Sequence, residues 1–322
     1  MMDEIRAIRP SLIVILCHHN ADPDAVCSAF AISQLLKRVF PRLDVEIAAA
    51  LGLSQISQHI VKAIPIRMVS SPRIEEADLL FLVDTNTVQQ LEDWGPRVES
   101  SGKPLIVIDH HTLHPKTLSL AFLTIADENS PSTCEVVYRL FKEARVPVTK
   151  DEALPLFLGM AYDTKHFTLA NSKTFKVAAE LVDVGVNAKK ALTLLSIPME
   201  LSERIARLKA AKRLCLVNIG EWLLAVSHVS SHQASAARAL IALGAHVAVV
   251  VGKREQSLRI SLRSVEDFHK KTDIHLGRDI AMPLGEYIHG MGGGHSTAAG
   301  ANGIGDLEDA IEECIRLFRS GL

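Results

Sequence analysis

Three apolar runs in this chain end abruptly in acids or imidazoles, and this pattern restricts the folds open to it. The runs and the side chains that follow them are 12–16 with His18, 79–83 with Asp84, and 105–108 with Asp109, His110 and His111. Short runs that are apolar throughout are typical of strands buried on both faces of a parallel sheet. Ligands bind at the carboxyl ends of the strands in open α/β sheets. The sequence therefore predicts a parallel sheet with a polar site at its carboxyl edge.

Helical patterns separate these runs, which indicates βαβ units. The strands predicted in the first domain are 12–16, 45–49, 66–69, 79–83 and 105–108, and those in the second domain are 222–227, 247–252 and 257–262. The predicted fold is α/β, with a mostly parallel five-stranded sheet flanked by helices in 1–197 and a smaller mixed-sheet α/β domain in 217–322. Residues 198–216 are predicted as a helical linker between the domains, and a core helix is the alternative.

Composition excludes several classes of protein. The 322 residues carry a formal net charge of −2 and 5% aromatic residues, which argues against binding of long nucleic acid by bulk charge or by an extended stacking platform. The five cysteines are scattered without a Cys-x-x-Cys pair, so neither a disulfide framework nor a zinc ribbon is expected. No stretch approaches the ~20 apolar residues of a membrane span. We expect a soluble, cytoplasmic protein.

Eight acids and imidazoles are predicted to converge at the sheet edge, and Asp163 is assigned to a strand end like the others. The set is His18, Asp22, Asp24, Asp84, Asp109, His110, His111 and Asp163. Carboxylates gathered so closely raise one another's pKa unless cations are bound between them. Oxygen-rich donors without a thiolate favour two Mn²⁺ ions, with Mg²⁺ or Co²⁺ as alternatives, over a tetrahedral zinc. The competing interpretation for Asp22 or Asp24 alone is a cap on the helix that begins at Ala25.

The order and spacing of these motifs resemble the DHH phosphoesterase superfamily. The motifs are His18-x-Asn-x-Asp22-x-Asp24-Ala, Val83-Asp84-Thr, Asp109-His110-His111 and Asp163-Thr164. The segment Gly292-Gly293-Gly294-His295, followed by Ala-Ala-Gly, is similar to the DHH-associated C-terminal domain of RecJ-like exonucleases and nanoRNase/pAp-phosphatase proteins. Together these motifs cover nearly the whole chain.

The resemblance implies a role for each residue of the first domain. One metal ion would be held by His18, Asp22 and Asp84, and a second by Asp24, Asp84, His110 and Asp163. His111 would face the scissile phosphate as a proton donor or electrostatic stabiliser, while Asp109 would orient an imidazole. His19 competes with His18 as a ligand, and the spacing of offsets 0, 4 and 6 favours His18.

In the second domain, consecutive glycines allow backbone N–H groups to turn inward and cradle an anion. A flexible glycine loop is the alternative. His295 and Thr297 would add side-chain donors. The resemblance implies that Arg263, rather than Arg259 on the same strand face, holds the substrate phosphate. One departure from many relatives is Lys165-His166-Phe167 in place of a glycine after Asp163-Thr164.

The resemblance implies an enzyme, a Mn²⁺-dependent phosphodiesterase that degrades short 5′-phosphorylated oligonucleotides by two-metal activation of water. 3′-Phosphoadenosine 5′-phosphate (pAp) is a further expected substrate. The alternatives are a RecJ-like single-strand exonuclease and a non-catalytic nucleotide-binding or replication-accessory protein. The glycine-rich motif argues against a family II pyrophosphatase. The expected partner is a short oligonucleotide or nucleotide and no membrane, and a homodimer through the first domain is left open.

Overall fold

The computed structural model describes residues 1–322, which form two compact units, Met1–Ile197 and Pro198–Leu322. Each unit has its own sheet and its own buried apolar clusters. None of the helices combines the length and the apolar character that crossing a membrane requires.

The sheet of the first unit has five strands, all parallel, in the order β2-β1-β3-β4-β5. The strands are β1 Leu12–Cys17, β2 Asp44–Ala49, β3 Leu79–Val83, β4 Leu105–Asp109 and β5 Leu123–Ala126. The predicted five-stranded parallel sheet is confirmed, but the strand predicted over 66–69 is wrong. That segment lies between Pro65 and Pro72, and Val69 N–H makes its one backbone hydrogen bond to β2, at the carbonyl of Ile47. The fifth strand of the sheet is instead β5, a half-exposed edge strand that was not predicted.

Nine α-helices belong to the first unit. They are α1 Met2–Ile8, α2 Pro23–Val39, α3 Gln55–Ala63, α4 Trp94–Ser100, α5 Pro115–Leu120, α6 Thr133–Glu143, α7 Lys150–Asp163, α8 Ser172–Val184 and α9 Ala188–Leu194, and a 3₁₀ turn covers Val88–Leu91. Asp163 therefore ends a helix, and its predicted position at the end of a strand is wrong. The apolar run before it, residues 154–162, lies in the fourteen-residue helix α7, which packs against α2. An apolar run alone does not distinguish a buried helix from a buried strand.

Both faces of the first sheet are buried, which explains its apolar strands. In β1, Ile13 and Ile15 pack beneath α2 on one face, while Val14 and Leu16 pack into a second cluster on the other. A parallel strand covered on two sides has no solvated face and so shows no polar alternation. Polar side chains can follow only where the strand leaves the core, at its carboxyl end.

The second unit is built on a mixed sheet, as predicted, but the sheet has six strands where three were predicted, in the order β10-β11-β9-β8-β7-β6. The strands are β6 Cys215–Ile219, β7 Trp222–His228, β8 Val247–Arg254, β9 Ser257–Ser264, β10 Met291–Gly294 and β11 Ala298–Ile304. Only β7 and β8 are parallel neighbours. The glycine-rich motif is strand β10 of a hairpin, with Gly293 opposite Gly300. The alternative of a flexible glycine loop is therefore wrong.

Five α-helices and one π-helical turn complete the second unit. They are α10 Leu201–Lys212, α11 Gln233–Ala242, α12 Glu266–Thr272, the π turn Leu276–Ala281, α13 Met282–Tyr287 and α14 Leu307–Gly321. The segment predicted as the linker contains α10. Within this unit, the carbonyl of Ala210 in α10 accepts a 2.8 Å hydrogen bond from the Ser227 hydroxyl.

Candidate metal centre

Strand and helix ends bring all eight predicted polar residues of the first unit to the carboxyl edge of its sheet. Their ligand atoms form three groups, in each of which the atoms lie within 4.8 Å of one another. The groups are His18 with Asp22 and Asp84; Asp24 with His110 and Asp163; and Asp84 with Asp109, His110 and His111. The first group coincides with one predicted ligand set. Oδ1 of Asp84 lies 3.7 Å from Nε2 of His110, next to the second group.

Asp84 lies between these groups in a strained and buried position. Its backbone has φ 52°, in the left-handed region that few non-glycine residues adopt. The residue is 4% exposed. Oδ1 accepts a 2.8 Å hydrogen bond from the Thr133 hydroxyl, and Oδ2 lies 4.0 Å from Nε2 of His18. The strained turn aims both carboxylate oxygens at the neighbouring groups.

Asp22 and Asp24 both bind helix N-termini. Oδ1 of Asp22 caps α2 by accepting the N–H groups of Asp24 and Ala25, at 3.0 and 3.1 Å. Asp24 accepts the first N–H groups of α6, from Thr133 at 2.6 Å and Cys134 at 3.0 Å. Capping of α2 by Asp22 occupies one carboxylate oxygen, so it coexists with membership of the cluster.

Backbone groups fix the orientation of the two histidines after β4. Nδ1 of His110 donates to the carbonyl of Ser130 at 3.1 Å, which turns Nε2 toward Asp163, 3.1 Å away. Oδ1 of Asp109 accepts the N–H groups of His110 and His111 and lies 2.8 Å from Nδ1 of His111. His111 is thereby held at the open side of the cluster, with half of its side chain exposed.

Burial and crowding change the pKa values of the cluster in the direction expected of a cation site. Burial, reinforced by the charge of Asp163, raises the pKa of Asp24 well above its ordinary value. Burial also raises the pKa of Asp84, and the charges of Asp24 and Asp22 raise it further. Burial alone would lower the pKa of His110, but its contacts with Asp163 and Asp84 raise it overall.

The residues present fit a divalent cation. Oδ2 of Asp109 is buried without a hydrogen-bond partner, and the buried Nε2 of His110 has only its 3.1 Å contact with the Asp163 carboxylate. Buried polar atoms without a full set of partners are rare in folded proteins. The cluster offers carboxylate oxygens and imidazole nitrogens but no thiolate, which suits Mn²⁺ or Mg²⁺. A cation would relieve the repulsion among the carboxylates and take Nε2 of His110 as a ligand.

Sequence reasoning missed Ser130 and Thr133, which orient His110 and Asp84. Only the cap residue Ser132, which accepts the N–H of Glu135 and begins α6, was visible in the sequence. A helix N-terminus commonly binds an anion, so this cap was the one sequence signal that the start of α6 could lie beside the carboxylates. His19 belongs to none of the three groups; its Nδ1 lies 3.2 Å from Glu92.

The segment after Asp163 has an unusual backbone. Lys165, His166 and Phe167 have φ values of 49°, 58° and 67°, three consecutive left-handed residues without a glycine. The hydroxyl of the buried Thr164 accepts the N–H of Phe167 at 3.1 Å, and the Phe167 ring lies 5.1 Å from that of Phe157. These contacts hold the turn in place, with Lys165 and His166 exposed.

Four of the six predicted anion-binding residues of the second unit lie along one polar cavity of about 650 Å³. Arg259 and Arg263 line it together with Gly293, Gly294 and His295, and no carboxylate does. The two arginines share one face of β9, as predicted, while Leu258, Ile260 and Leu262 pack into the core of the unit. Burial and the charge of Arg238 lower the pKa of Arg263, as expected for a cation without an acidic partner.

Two predicted residues do not line this cavity. Gly292 packs so closely that a Cβ there would lie 1.6 Å from the Ala281 carbonyl oxygen. Thr297 uses its carbonyl to accept the N–H of Ser264. The three glycines form strand β10, which pairs with β11, rather than a turn. Among the three consecutive glycines 292–294, Gly293 is the one with open space on its Cβ side.

A parallel sheet that gathers buried carboxylates and imidazoles at its carboxyl edge is the arrangement of a hydrolase that uses divalent metal ions. Residues 12–160 match the DHH family, N-terminal domain. The chain is also 35% identical, over 98% of its length and 94% of the relative's, to the uncharacterized protein MJ0988 of Methanocaldococcus jannaschii. The chain belongs to the DHH family.

Two further proteins are similar to this chain. A probable manganese-dependent inorganic pyrophosphatase of Streptococcus equi subsp. equi is 32% identical over 184 residues, 54% of this chain and 56% of that protein. The structure of an exopolyphosphatase-related protein from Bacteroides fragilis has the same fold, with a TM-score of 0.61, 20% identity, and 99% of this chain and 95% of that chain covered. Family and site together support a metal-dependent phosphoesterase.

Proposed function

We propose that this protein is a Mn²⁺-dependent phosphodiesterase that hydrolyses short 5′-phosphorylated oligonucleotides, and also pAp. The observation that carries the proposal is the buried cluster around Asp84, in which Nε2 of His110 is turned toward Asp163. The carboxylate-free arginine cavity of the second unit supports a substrate rich in phosphate. We further infer that the second unit is a DHH-associated domain.

The ligand sets proposed for two Mn²⁺ ions follow the grouping of the side chains. His18, Asp22 and Asp84 would hold one ion, and Asp24, Asp84, His110 and Asp163 the other. Divalent ions held by these residues would activate a water molecule and neutralise charge on a phosphoryl group. Mn²⁺ suits the mixed donors, and the name of the streptococcal relative agrees with that choice.

The remaining residues of the first unit would orient groups and move a proton. His111 is exposed at the edge of the cluster, where its imidazole would donate a proton to the leaving oxygen or stabilise developing charge. Asp109 contacts Nδ1 of His111 and two backbone N–H groups, and so fixes the direction of the ring. Ser130 acts in the same way on His110.

In the second unit, Arg263 and His295 would hold a substrate phosphate. Arg263 lacks an acidic partner and is partly desolvated, so a phosphate oxygen would supply the missing countercharge. Gly293 leaves space for the anion, whereas Gly292 and Gly294 would act by allowing close packing. Thr297 would contribute through its backbone contact to β9.

The test is Mn²⁺-dependent product release from a matched set of substrates, with and without chelator. The set contains pApA, a pentanucleotide and a strand of about 24 nucleotides in RNA and DNA, together with pAp and pyrophosphate. We expect rapid, Mn²⁺-dependent hydrolysis of pApA, a sharp decline with length, and no activity in Asp84→Ala. Arg263→Ala should raise KM more than Arg259→Ala does.

Other outcomes would assign a different function. Equal or faster attack on the long strand, with a steep salt dependence, would favour the single-strand exonuclease. Preference for pyrophosphate would favour the activity named in the streptococcal relative. Metal binding without turnover of any substrate would favour a non-catalytic nucleotide-binding protein.

A further inference from the structure

A second cavity of about 500 Å³ lies in the first unit beside the loop that carries His18. Three segments line it: 49–53, 68–70 and 91–94. The loop after β1 is hydrogen-bonded to the first of these segments, because Asn20 and Ala21 donate to the carbonyls of Ala50 and Gly52 at 3.2 and 3.1 Å. His19 connects the loop to the third segment, since its N–H donates to the carbonyl of the adjacent Gln90 at 2.8 Å and its Nδ1 lies 3.2 Å from Glu92. The cavity and the candidate metal centre therefore share one loop.

The lining of this cavity differs in character from the metal cluster and from the arginine cavity. Most of its side chains are apolar, and no lysine, arginine or histidine is among them. Trp94, one of the two tryptophans in the chain, forms part of the wall. Leu51 stands at the rim, 77% exposed and with φ 51°. A large apolar side chain that is exposed and held in a left-handed turn, beside a polar site, is typical of a ligand-binding surface.

The two ionisable groups of the lining are Glu92 and Asp93. Oε1 of Glu92 lies 3.2 Å from His19, and the carboxylate of Asp93 makes no cap hydrogen bond to α4. Carboxylates accept hydrogen bonds but repel phosphate, so this cavity does not suit the anionic part of a phosphoester. It suits an uncharged, flat group that has apolar faces and N–H donors at its edge.

We propose that the Leu51–Trp94 cavity binds a nucleobase of the substrate. The inference rests on the proposed function, because the base must belong to the nucleotide whose phosphate reaches the metal centre. Trp94 and Leu51 would cover the faces of the base, and Glu92 and Asp93 would accept from its ring N–H and amino groups. Inorganic pyrophosphate has no surface that would use this cavity, so the cavity selects nucleotides over inorganic polyphosphates.

Binding is tested without metal, so that it does not depend on turnover. In Trp222→Phe, the remaining tryptophan is Trp94, because Trp222 lies in the core of the second unit. With chelator present, we expect GMP to quench the fluorescence of this variant saturably, while ribose 5-phosphate does not. Adding Leu51→Ser should weaken binding about fivefold, since roughly half of a leucine side-chain contact is lost. Leu118→Ser, an exposed change on α5, is the matched control.

A kinetic experiment keeps the proposal testable if Trp222→Phe does not fold. Trp94→Leu should lower kcat/KM for pGpG about tenfold, a typical effect of losing one stacked base, and leave hydrolysis of the abasic analogue unchanged. An equal loss on both substrates, or no difference between GMP and ribose 5-phosphate, would overturn the nucleobase site. Saturable quenching by GMP in a protein without phosphoesterase activity would keep the site and reject the proposed function instead.

Discussion

The hydroxyl of Thr133 donates a 2.8 Å hydrogen bond to Oδ1 of Asp84, joining the start of α6 to the end of β3. Both residues are buried. Asp84 is the residue that the two candidate ligand sets share, and a threonine at the first position of a helix fixes one of its oxygens. The orientation of the carboxylate is therefore set by an element that begins 49 residues further along the chain.

Thr133→Val should weaken metal binding while preserving shape, because valine replaces the hydroxyl with a methyl group. Removing a hydrogen bond to a metal ligand typically costs about 10–100-fold in metal affinity. Calorimetric titration with Mn²⁺ measures the effect. Thr124→Val, at an exposed position of β5, is the control and should bind Mn²⁺ like the parent. Unchanged affinity in Thr133→Val would show that Asp84 does not need this contact.

The free energy of unfolding of the metal-free protein should be larger at low pH than at neutral pH. Asp24 and Asp84 have pKa values raised above the ordinary 3.8, so above that pH the folded chain keeps protons that the unfolded chain has released. Stability therefore falls as pH rises from 3.8 through the raised values. Urea unfolding with chelator, from about pH 5 to about pH 8, measures this slope.

Two comparisons identify the source of that pH dependence. Asp84→Asn removes one of the crowded carboxylates, so its stability should change less with pH than that of the parent. Added Mn²⁺ should stabilise the parent more at high pH than at low pH, because its ligands must be deprotonated. A metal-free protein whose stability rises across this range would contradict the argument.

The sequence predicted those parts of the site that follow continuous apolar strands. His18, Asp84 and Asp109 each follow a run with no polar residue. A strand that is covered on both faces has room for polar side chains only where it leaves the core, at its carboxyl end. The secondary structure before Asp163 was predicted incorrectly, because nine apolar residues, 154–162, are compatible with a buried helix and with a buried strand. Its membership of the cluster was predicted, and the resemblance supported it, but the strand assigned to the residues before it was wrong.

Contacts between distant segments could not be predicted. Ser130 and Thr133 reach His110 and Asp84 across the fold, and no local pattern marks a threonine as the partner of a particular aspartate. The glycines at 292–294 also misled, because glycine permits both a turn and a tightly packed strand. Packing against Ala281 decides between these alternatives, and that contact depends on the tertiary structure.

Lys165→Gly should stabilise the protein. Lys165 has φ 49°, and a left-handed conformation costs a non-glycine residue about 1–2 kcal/mol. Glycine adopts it freely, although the more flexible unfolded chain offsets part of the gain, so we expect a net increase of about 1 kcal/mol in the free energy of unfolding. Lys176→Gly, in the middle of α8, should instead lose about 1 kcal/mol. Destabilisation by Lys165→Gly would mean that the lysine side chain supports the turn.

Two neighbouring glycines of β10 should respond differently to the same substitution. A Cβ at Gly292 would lie 1.6 Å from the Ala281 carbonyl oxygen, whereas one at Gly293 meets nothing within 4 Å. Gly292→Ala should therefore destabilise the protein by about 3 kcal/mol through overpacking, measured by chemical unfolding. Gly293→Ala should keep nearly full stability and raise KM, since its methyl group projects into the arginine cavity. Equal stability losses would show that the strand, rather than the contact with Ala281, requires glycine, and equal KM values in Gly293→Ala and the parent would argue against an anion at this position.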